Sequence, residues 1–236
     1  GMHRVYNSAF MNMLAREANE DYQQLMRNVL EFDPQILARF VNFMNNPDEE
    51  TTIAQFGDGD KAFGVATLMA TLPGLPMFGH GQVEGLREKY GMEYRRAKLD
   101  ERPAPGMVDR HRAQIAPLLE RRRAFAGTDR FRLFEVHGDH GPLHDVFAYA
   151  NGEPGGPVNL VLYHNRYGEA HGTIRTTAPF PDRAGGGTRR ERLDDVLRLR
   201  GGIDRFVRYR DLRSGDEHLA RSDAWRDDGL SVHLGA

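Results

Sequence analysis

The sequence predicts an α/β half followed by a β-rich half. Three observations carry this. Up to Phe125, short apolar runs alternate with amphipathic helical patterns in the order strand, helix, strand, helix, strand, helix. After Gly127 the pattern changes to short strand-like runs separated by turn clusters such as Asn151-Gly152-Glu153-Pro154-Gly155-Gly156. A hydrophobic fraction of 39%, with 13 Phe, is enough for a packed core and excludes wholesale disorder. The expected boundary lies near Gly127, giving units 1–126 and 127–236.

Residues 2–11 place Val5, Tyr6, Phe10 and Met11 around Asn7 and Ser8 and read as a short strand entering a loop. Tyr22, Leu25, Met26, Val29 and Leu30 fall at helical spacing, so a helix is expected over 17–31, with Pro34 just past its end. Arg39 to Met44 is a nearly unbroken apolar run that suits a buried strand, stopped by Asn45-Asn46-Pro47-Asp48. Asp58-Gly59-Asp60 opens a second helix with a stripe of Val65, Leu68, Met69 and Leu72, closed by Pro73-Gly74. Leu75 to Phe78 is a third strand, and 107–125 a third helix that Pro117 should kink. In the second half, strands are expected over 131–136, 143–150, 158–164, 172–177, 205–209 and 230–234. One helix interrupts them: Thr188 and Glu191 have capping-box spacing, and Leu193, Val196 and Leu197 give an apolar side.

Charge and composition exclude several classes. With 32 basic and 34 acidic residues the net charge is −2, so no basic footprint for nucleic acid or an anionic membrane surface is expected. No apolar run reaches the roughly 18 residues of a membrane helix. There is no cysteine, hence no disulfide, thiolate zinc site or thiol nucleophile. Residues Gly1 to Tyr6 hold no hydrophobic signal core, the first residue is not Met, and Leu230 to Ala236 ends on a strand pattern. These features predict a chain cut from a longer protein.

Two segments carry the candidate chemistry. Asn45-Asn46-Pro47-Asp48-Glu49-Glu50 sits at the carboxyl end of a buried strand, where a carboxylate can face a bound ligand while the strand holds it. The same residues also read as a plain turn in which Asp48 caps the next helix. Pro73 to Gly85, containing Gly79-His80-Gly81-Gln82-Val83-Glu84, lets a ligand approach glycine backbone at a strand end, and reads equally as a tight turn and loop.

Taken together and in order, these segments resemble the alpha-amylase family of glycoside hydrolases and transglycosylases. Phe43 to Asp48 is similar to the family's seventh-strand motif, and Pro73-Gly74-Leu75-Pro76 through Gly81-Gln82 and Glu84 to its eighth; Tyr6 to Met11 suits the sixth. The fold implied is the last three βα units of a (β/α)₈ TIM barrel followed by a C-terminal β-sandwich. The activity implied is retaining cleavage or transfer of α-linked glucosyl units, with a nucleophile, an acid/base and a third carboxylate supporting the transition state. Asp48 matches the third carboxylate, and Asn46, Gly81, Gln82 and Glu84 the substrate contacts. Pro47 stands where the family usually has a sugar-binding histidine. The nucleophile motif Gly-x-Arg-x-Asp is absent; Gly202-Ile203-Asp204 lacks its Arg and lies in the wrong half. The resemblance therefore implies an α-glucan or oligosaccharide substrate, an isolated chain that is inactive, and self-association through an open barrel edge. Calcium is common in the family, and no ligand set for it is found; no cofactor and no metal site are assigned.

His137-Gly138-Asp139-His140-Gly141-Pro142-Leu143-His144-Asp145 has metal-ligand residue types without a fixed ligand geometry, and reads more simply as a polar turn. His164, Tyr167 and His171 read as a sugar-contacting edge or as surface. Arg121-Arg122-Arg123 and Arg189-Arg190 read as solvated faces, and Trp225 as a core residue or a sugar platform. Two further readings stay open. Pro47 favours a non-catalytic carbohydrate-binding or scaffold protein of the same architecture, which upstream catalytic motifs would exclude. A stand-alone α/β plus β protein requires a complete, closed sheet in the first half.

Overall fold

The computed structural model describes residues 3–91, 95–182, 185–199 and 206–235. Gly1, Met2, residues 202–205 and Ala236, which enter the sequence readings above, lie outside them. Three parallel strands, β1 (Val5–Tyr6), β2 (Phe40–Phe43) and β3 (Leu75–Met77), lie side by side in chain order. Helices α1 (Ser8–Ala15) and α2 (Asn19–Phe32) join the first pair, and α3 (Thr52–Phe56) and α4 (Asp60–Thr71) the second. Each crossover returns to an adjacent parallel strand, the βαβ arrangement that the alternating pattern predicts. β1 and β3 each pair on one side only, so the closed sheet of a stand-alone protein is not present among the described residues. No described helix is long and apolar enough to cross a membrane.

Two helices stand where the pattern reads as loop. The Asn7 side chain accepts from Phe10 N at 3.2 Å and so caps α1, whose Phe10, Met11 and Leu14 are buried. Thr51 caps α3 in the same way through Ala54 N. Five residues are too few for periodicity to register. The single kinked helix expected over 107–125 is instead α5 (Pro105–Arg110), a π-helical segment His111–Ile115, α6 (Ala116–Glu120) and α7 (Arg123–Ala126). Pro117 has no N–H and crowds the carbonyl four residues back. The ladder widens upstream of it, with Ala116 N–H bonding to His111 O.

Arg122 also departs from its expected place on a solvated face. It is half-buried and donates to the carbonyls of Ala70, at 2.8 Å, Leu72, at 2.8 Å, and Gly74. A guanidinium thus satisfies the orphan carbonyls at the end of α4 and opposes the helix dipole there. Burial pushes its pKa down to about 10, so it stays charged at neutral pH.

The second half contains β4 (Arg132–Gly138), β5 (Gly141–Pro142), β6 (Val146–Gly152), β7 (Val158–His164), β8 (Ala170–Thr177), β9 (Phe180–Pro181) and β10 (Thr188–Arg189). Then follow α8 (Leu193–Val196), β11 (Phe206–Arg210), β12 (Glu217–Arg221), α9 (Ser222–Asp227) and β13 (Leu230–Leu234). Hydrogen bonding runs through one antiparallel sheet of order β13-β8-β4-β6-β7, with β5 also on β4. The capping box is not formed: Thr188 belongs to β10, Glu191 pairs with Arg132 and Arg189, and α8 starts beyond it without a side-chain cap. β11 answers to the strand expected over 205–209, while its hairpin partner β12 escapes the pattern because Glu217-His218-Leu219-Ala220-Arg221 is largely exposed and lacks alternation.

β6 is buried on both faces, which alternate by residue. Val146, Ala148 and Ala150 share an apolar cluster with Val136, Ile174, Val232 and Leu193. Phe147 and Tyr149 join the helices: a single core contains them together with Phe10, Tyr22, Met26, Phe63 and Leu68. The junction is polar as well. Tyr149 Oη and Thr71 Oγ1 hydrogen-bond at 2.5 Å. Asn165, buried at the end of β7, donates to Leu14 O at 3.1 Å and Asn19 Oδ1 at 2.6 Å. Asn19 donates in turn to Asn165 O at 3.0 Å and Asp145 Oδ1 at 2.7 Å. Gln23 donates to the carbonyls of His144 and Val146. At Gly64 of α4 a Cβ would lie 2.0 Å from the Tyr163 ring, so only glycine permits this approach of helix and sheet.

Asp145, expected in a metal-like cluster or a polar turn, is therefore part of this junction. Burial alone would raise its pKa; hydrogen bonds from Asn19 and Arg166 outweigh that and hold it below the ordinary carboxylate value. A depressed native pKa adds stability above the unfolded value and loses it as pH falls through the native one. Wild type should therefore be more stable than Asp145→Asn at about pH 7, and the gap should close between about pH 5 and 2. Urea unfolding of both proteins across that range measures it.

Candidate functional site

In a parallel βα unit the carboxyl ends of the strands carry the exchangeable loops, and ligands bind there. β2 leads into Asn45 and Asn46, both buried despite their polarity. Asn45 donates from Nδ2 to His80 O at 3.0 Å and accepts at Oδ1 from Thr52 at 3.1 Å. It thus binds the loop after β2 to the loop after β3. Gly79 lies directly against it: a Cβ there would be 2.2 Å from Asn45 Oδ1 and 2.6 Å from Asn45 O.

Asn46 closes the turn. Its Oδ1 accepts from Asp48 N at 2.9 Å and Glu49 N at 3.2 Å. Asp48 caps no helix, because Thr51 does that work for α3. The Asp48 side chain is exposed and makes no hydrogen bond or ion pair among the described residues. Its carbonyl is held by Lys89 Nζ at 3.0 Å. The result is a carboxylate with a fixed backbone and a free head.

A small cleft beside this turn is lined by Asn45, Asn46, Pro47, Glu49 and Thr51 on one side and by His80, Glu88, Lys89 and Tyr90 on the other. The His80 and Tyr90 rings stand 5.5 Å apart at 41°. It is a shallow, solvent-open crevice whose enclosed space is about that of a single water molecule, far short of an ordinary small-molecule pocket. The second wall is pinned by two carboxylates. Glu88 accepts from Lys98 N at 2.6 Å and Leu99 N at 2.7 Å, and Glu101 accepts from Glu88 N at 2.8 Å and Arg87 N at 2.9 Å. Those backbone donors hold the Glu88 carboxyl below its usual range.

Of the residues singled out from sequence, Asn46 lines the cleft and Asp48 stands in the same turn. Gly81, Gln82 and Glu84 do not line it. Gln82 is fully buried, its Nε2 3.4 Å from Met44 Sδ and its Oε1 without a hydrogen-bond partner. Glu84 is half-buried and acts on His111, whose pKa is lowered by burial while a hydrogen bond with Met107 O and the Glu84 charge pull it back up. His80, inside the glycine-rich segment, and Tyr90, Lys89 and Glu88, just after it, line the cleft although the sequence pattern does not mark them as site residues. A lone aromatic in a charged segment gives no periodic signal.

Elsewhere, His164 and Tyr167 line no cleft with these residues. Trp225 is half-buried and packs at 5.4 Å on Tyr209, which stacks on His218 at 5.0 Å. It belongs to a surface aromatic group and not to the core.

No protein-family model and no curated protein matches the chain. Solved structures do. An alpha-amylase from Anoxybacillus superposes with a TM-score of 0.50 over 83% of this chain and 36% of its own, at 15% identity. An alpha-amylase from Geobacillus thermoleovorans complexed with acarbose gives 0.51 over 83% and 36%, at 13% identity. This chain shares its fold with part of those alpha-amylases. It spans little more than a third of their length, and at this identity the likeness is one of fold.

The contact between Asn45 and Gly79 generates a prediction. Gly79→Ala must displace Asn45 and break its bond to His80 O. It should destabilise the chain by about 1–3 kcal/mol, read as a lower urea midpoint with an unchanged m-value. In nuclear magnetic resonance spectra the largest shift changes should fall on Asn45, Thr52 and His80.

Proposed function

We propose that the chain is the C-terminal portion of an alpha-amylase-type enzyme that hydrolyses or transfers α-linked glucosyl units by a retaining mechanism. β1 to β3 are then the last three strands of its (β/α)₈ barrel, residues 1–126, and the antiparallel sheet its C-terminal β-sandwich domain, residues 127–236. What carries this reading is the pair of strand-end loops joined through Asn45, with the free carboxylate of Asp48 on their rim, in a fold shared with alpha-amylases.

In such a reaction one carboxylate attacks the anomeric carbon, a carboxylic acid protonates the leaving oxygen, and a covalent glycosyl-enzyme is then hydrolysed or transferred. Asp48 is the third carboxylate: it accepts hydrogen bonds from sugar hydroxyls and offsets the positive charge that develops on the ring. Asn46 sets its backbone through two hydrogen bonds. Gln82 and Glu84 support the loop from behind, Gln82 from within the core and Glu84 beside His111. The nucleophile and the acid belong to strands that precede β1, so this chain alone is inert. Pro47 supplies no side-chain donor, and His80 beside Tyr90 offers the imidazole nearest to the turn along this cleft.

The test is incubation of the chain with maltooligosaccharides, reading new reducing ends, together with acarbose titration followed by nuclear magnetic resonance. No turnover is expected. Acarbose should shift Asn46, His80 and Tyr90, and Asp48→Asn should weaken that response several-fold. Turnover abolished in Asp48→Asn would overturn inertness and keep the site. An absence of any response to acarbose would favour a scaffold role.

The exposed strands generate a second prediction. Val5, Tyr6 and Leu75 are 38%, 58% and 45% exposed on the outer strands of the parallel sheet. Unpaired strand edges recruit other edges. Sedimentation velocity should show concentration-dependent self-association of the chain, and Tyr6→Lys together with Leu75→Lys should suppress it.

A further inference from the structure

A second chemically distinct cluster lies on the antiparallel sheet, away from the strand-end loops. His171 of β8 and His233 of β13 are direct cross-strand partners. Their rings stack with centroids 4.0 Å apart and planes at 26°. Glu169, just before β8, places Oε2 at 3.4 Å from His171 Nε2 and 3.8 Å from His233 Nε2. The three side chains thus bring one ligand atom each to within 4.8 Å of the others.

We propose that Glu169, His171 and His233 form a binding site for a divalent transition metal, with zinc as its probe, that staples β13 to β8. The ladder fixes the geometry. Val232 is buried on the opposite face of β13, so His171 and His233 are held on one outward face by the register that buries it. Tetrahedral zinc, with bonds of about 2.0–2.2 Å to nitrogen and oxygen, sets its ligands roughly 3.3–3.5 Å apart. The Glu169–His171 pair already has that spacing. The remaining closure is within reach of side-chain rotation, because all three groups are exposed and free to turn. Two imidazoles and one carboxylate suit zinc, copper or nickel; calcium and magnesium require sets made of oxygen. A fourth position is left to solvent. The ion would cross-link the last strand of the sheet to its neighbour, so its first consequence is on the stability of that edge.

The test uses the untagged chain stripped with chelator and titrated with zinc chloride by calorimetry. One equivalent should bind. His171→Ala and His233→Ala should each lower the affinity at least about tenfold, since even loss of a supporting group around a metal ligand costs that much. His140→Ala, which removes an exposed histidine of the β4–β5 turn, should bind as wild type does. Zinc should raise the melting temperature of wild type and not of the two variants, and cobalt should give visible ligand-field absorption that His233→Ala lacks. Unchanged circular dichroism separates loss of a ligand from loss of fold. Failure of wild type to bind zinc below millimolar concentration, persistence of binding in both histidine variants, or equal binding of calcium would overturn the proposal.

Discussion

The arrangement of this chain depends on buried amides that cannot be left unsatisfied. Asn19 and Asn165 come from segments far apart in sequence and exchange hydrogen bonds at the junction of the helices and the antiparallel sheet. A buried polar group without a partner costs on the order of 1–3 kcal/mol. The pair therefore accepts few alternatives to the observed docking. Asn165 also takes the Leu14 carbonyl at the end of α1, and Asn19 takes Asp145. One polar lattice thus fixes the end of α1, the start of α2 and the turn before β6. The apolar contacts around it, Tyr22 on Phe147 and Phe10 on Tyr22, supply area, while the amides supply registry.

This lattice explains why the change of pattern at Gly127 marks a change of architecture and not a gap in packing. The alternation of apolar runs with helices before it, and of short strands after it, is a local property, and both patterns are present in the structure. The junction is not local. Asn19, Gln23 and Asn165 sit among polar residues that read as surface, and only the approach of two distant segments turns them into core. Phe147 and Tyr149 alternate with Val146 and Ala148 along β6, so both of its faces are apolar and neither is marked as the one that meets the helices. The same limit hid Arg122, whose burial depends on the carbonyls at the end of α4.

The strand-end loops were legible in part, for a related reason. Asn46 and Asp48 lie within a few residues of each other, and a turn built by an Asx side chain is a short-range event. The pairing of that turn with the glycine run after β3 was legible only as an ordered couple of motifs. Its physical basis is Asn45, whose amide needs His80 O and whose neighbour must be glycine. Gln82 shows the opposite case: an amide in a glycine-rich motif reads as a ligand contact, yet it lies in the core behind the loop. His80 and Tyr90 meet on one wall of the cleft, and the carboxylates of Glu88 and Glu101 draw Lys98 to Glu101 onto Arg87 and Glu88 beside them, a tertiary arrangement without periodicity.

The parallel sheet carries the last constraint. Parallel strands are stable when both faces are covered and both edges are paired or protected. Here helices cover the sheet and Phe43 and Val41 are buried, yet β1 and β3 each have one unpaired side and exposed apolar side chains. The antiparallel half does not relieve this, because it docks through the helices and leaves both outer strands open. Strands added at those edges would satisfy backbone groups and cover Tyr6 and Leu75 at once. They would also bring new side chains to the same carboxyl ends where Asp48 stands. On the proposed reading, completion of the sheet and completion of the site would be one structural event, in which the Asp48 carboxylate on its turn would take part.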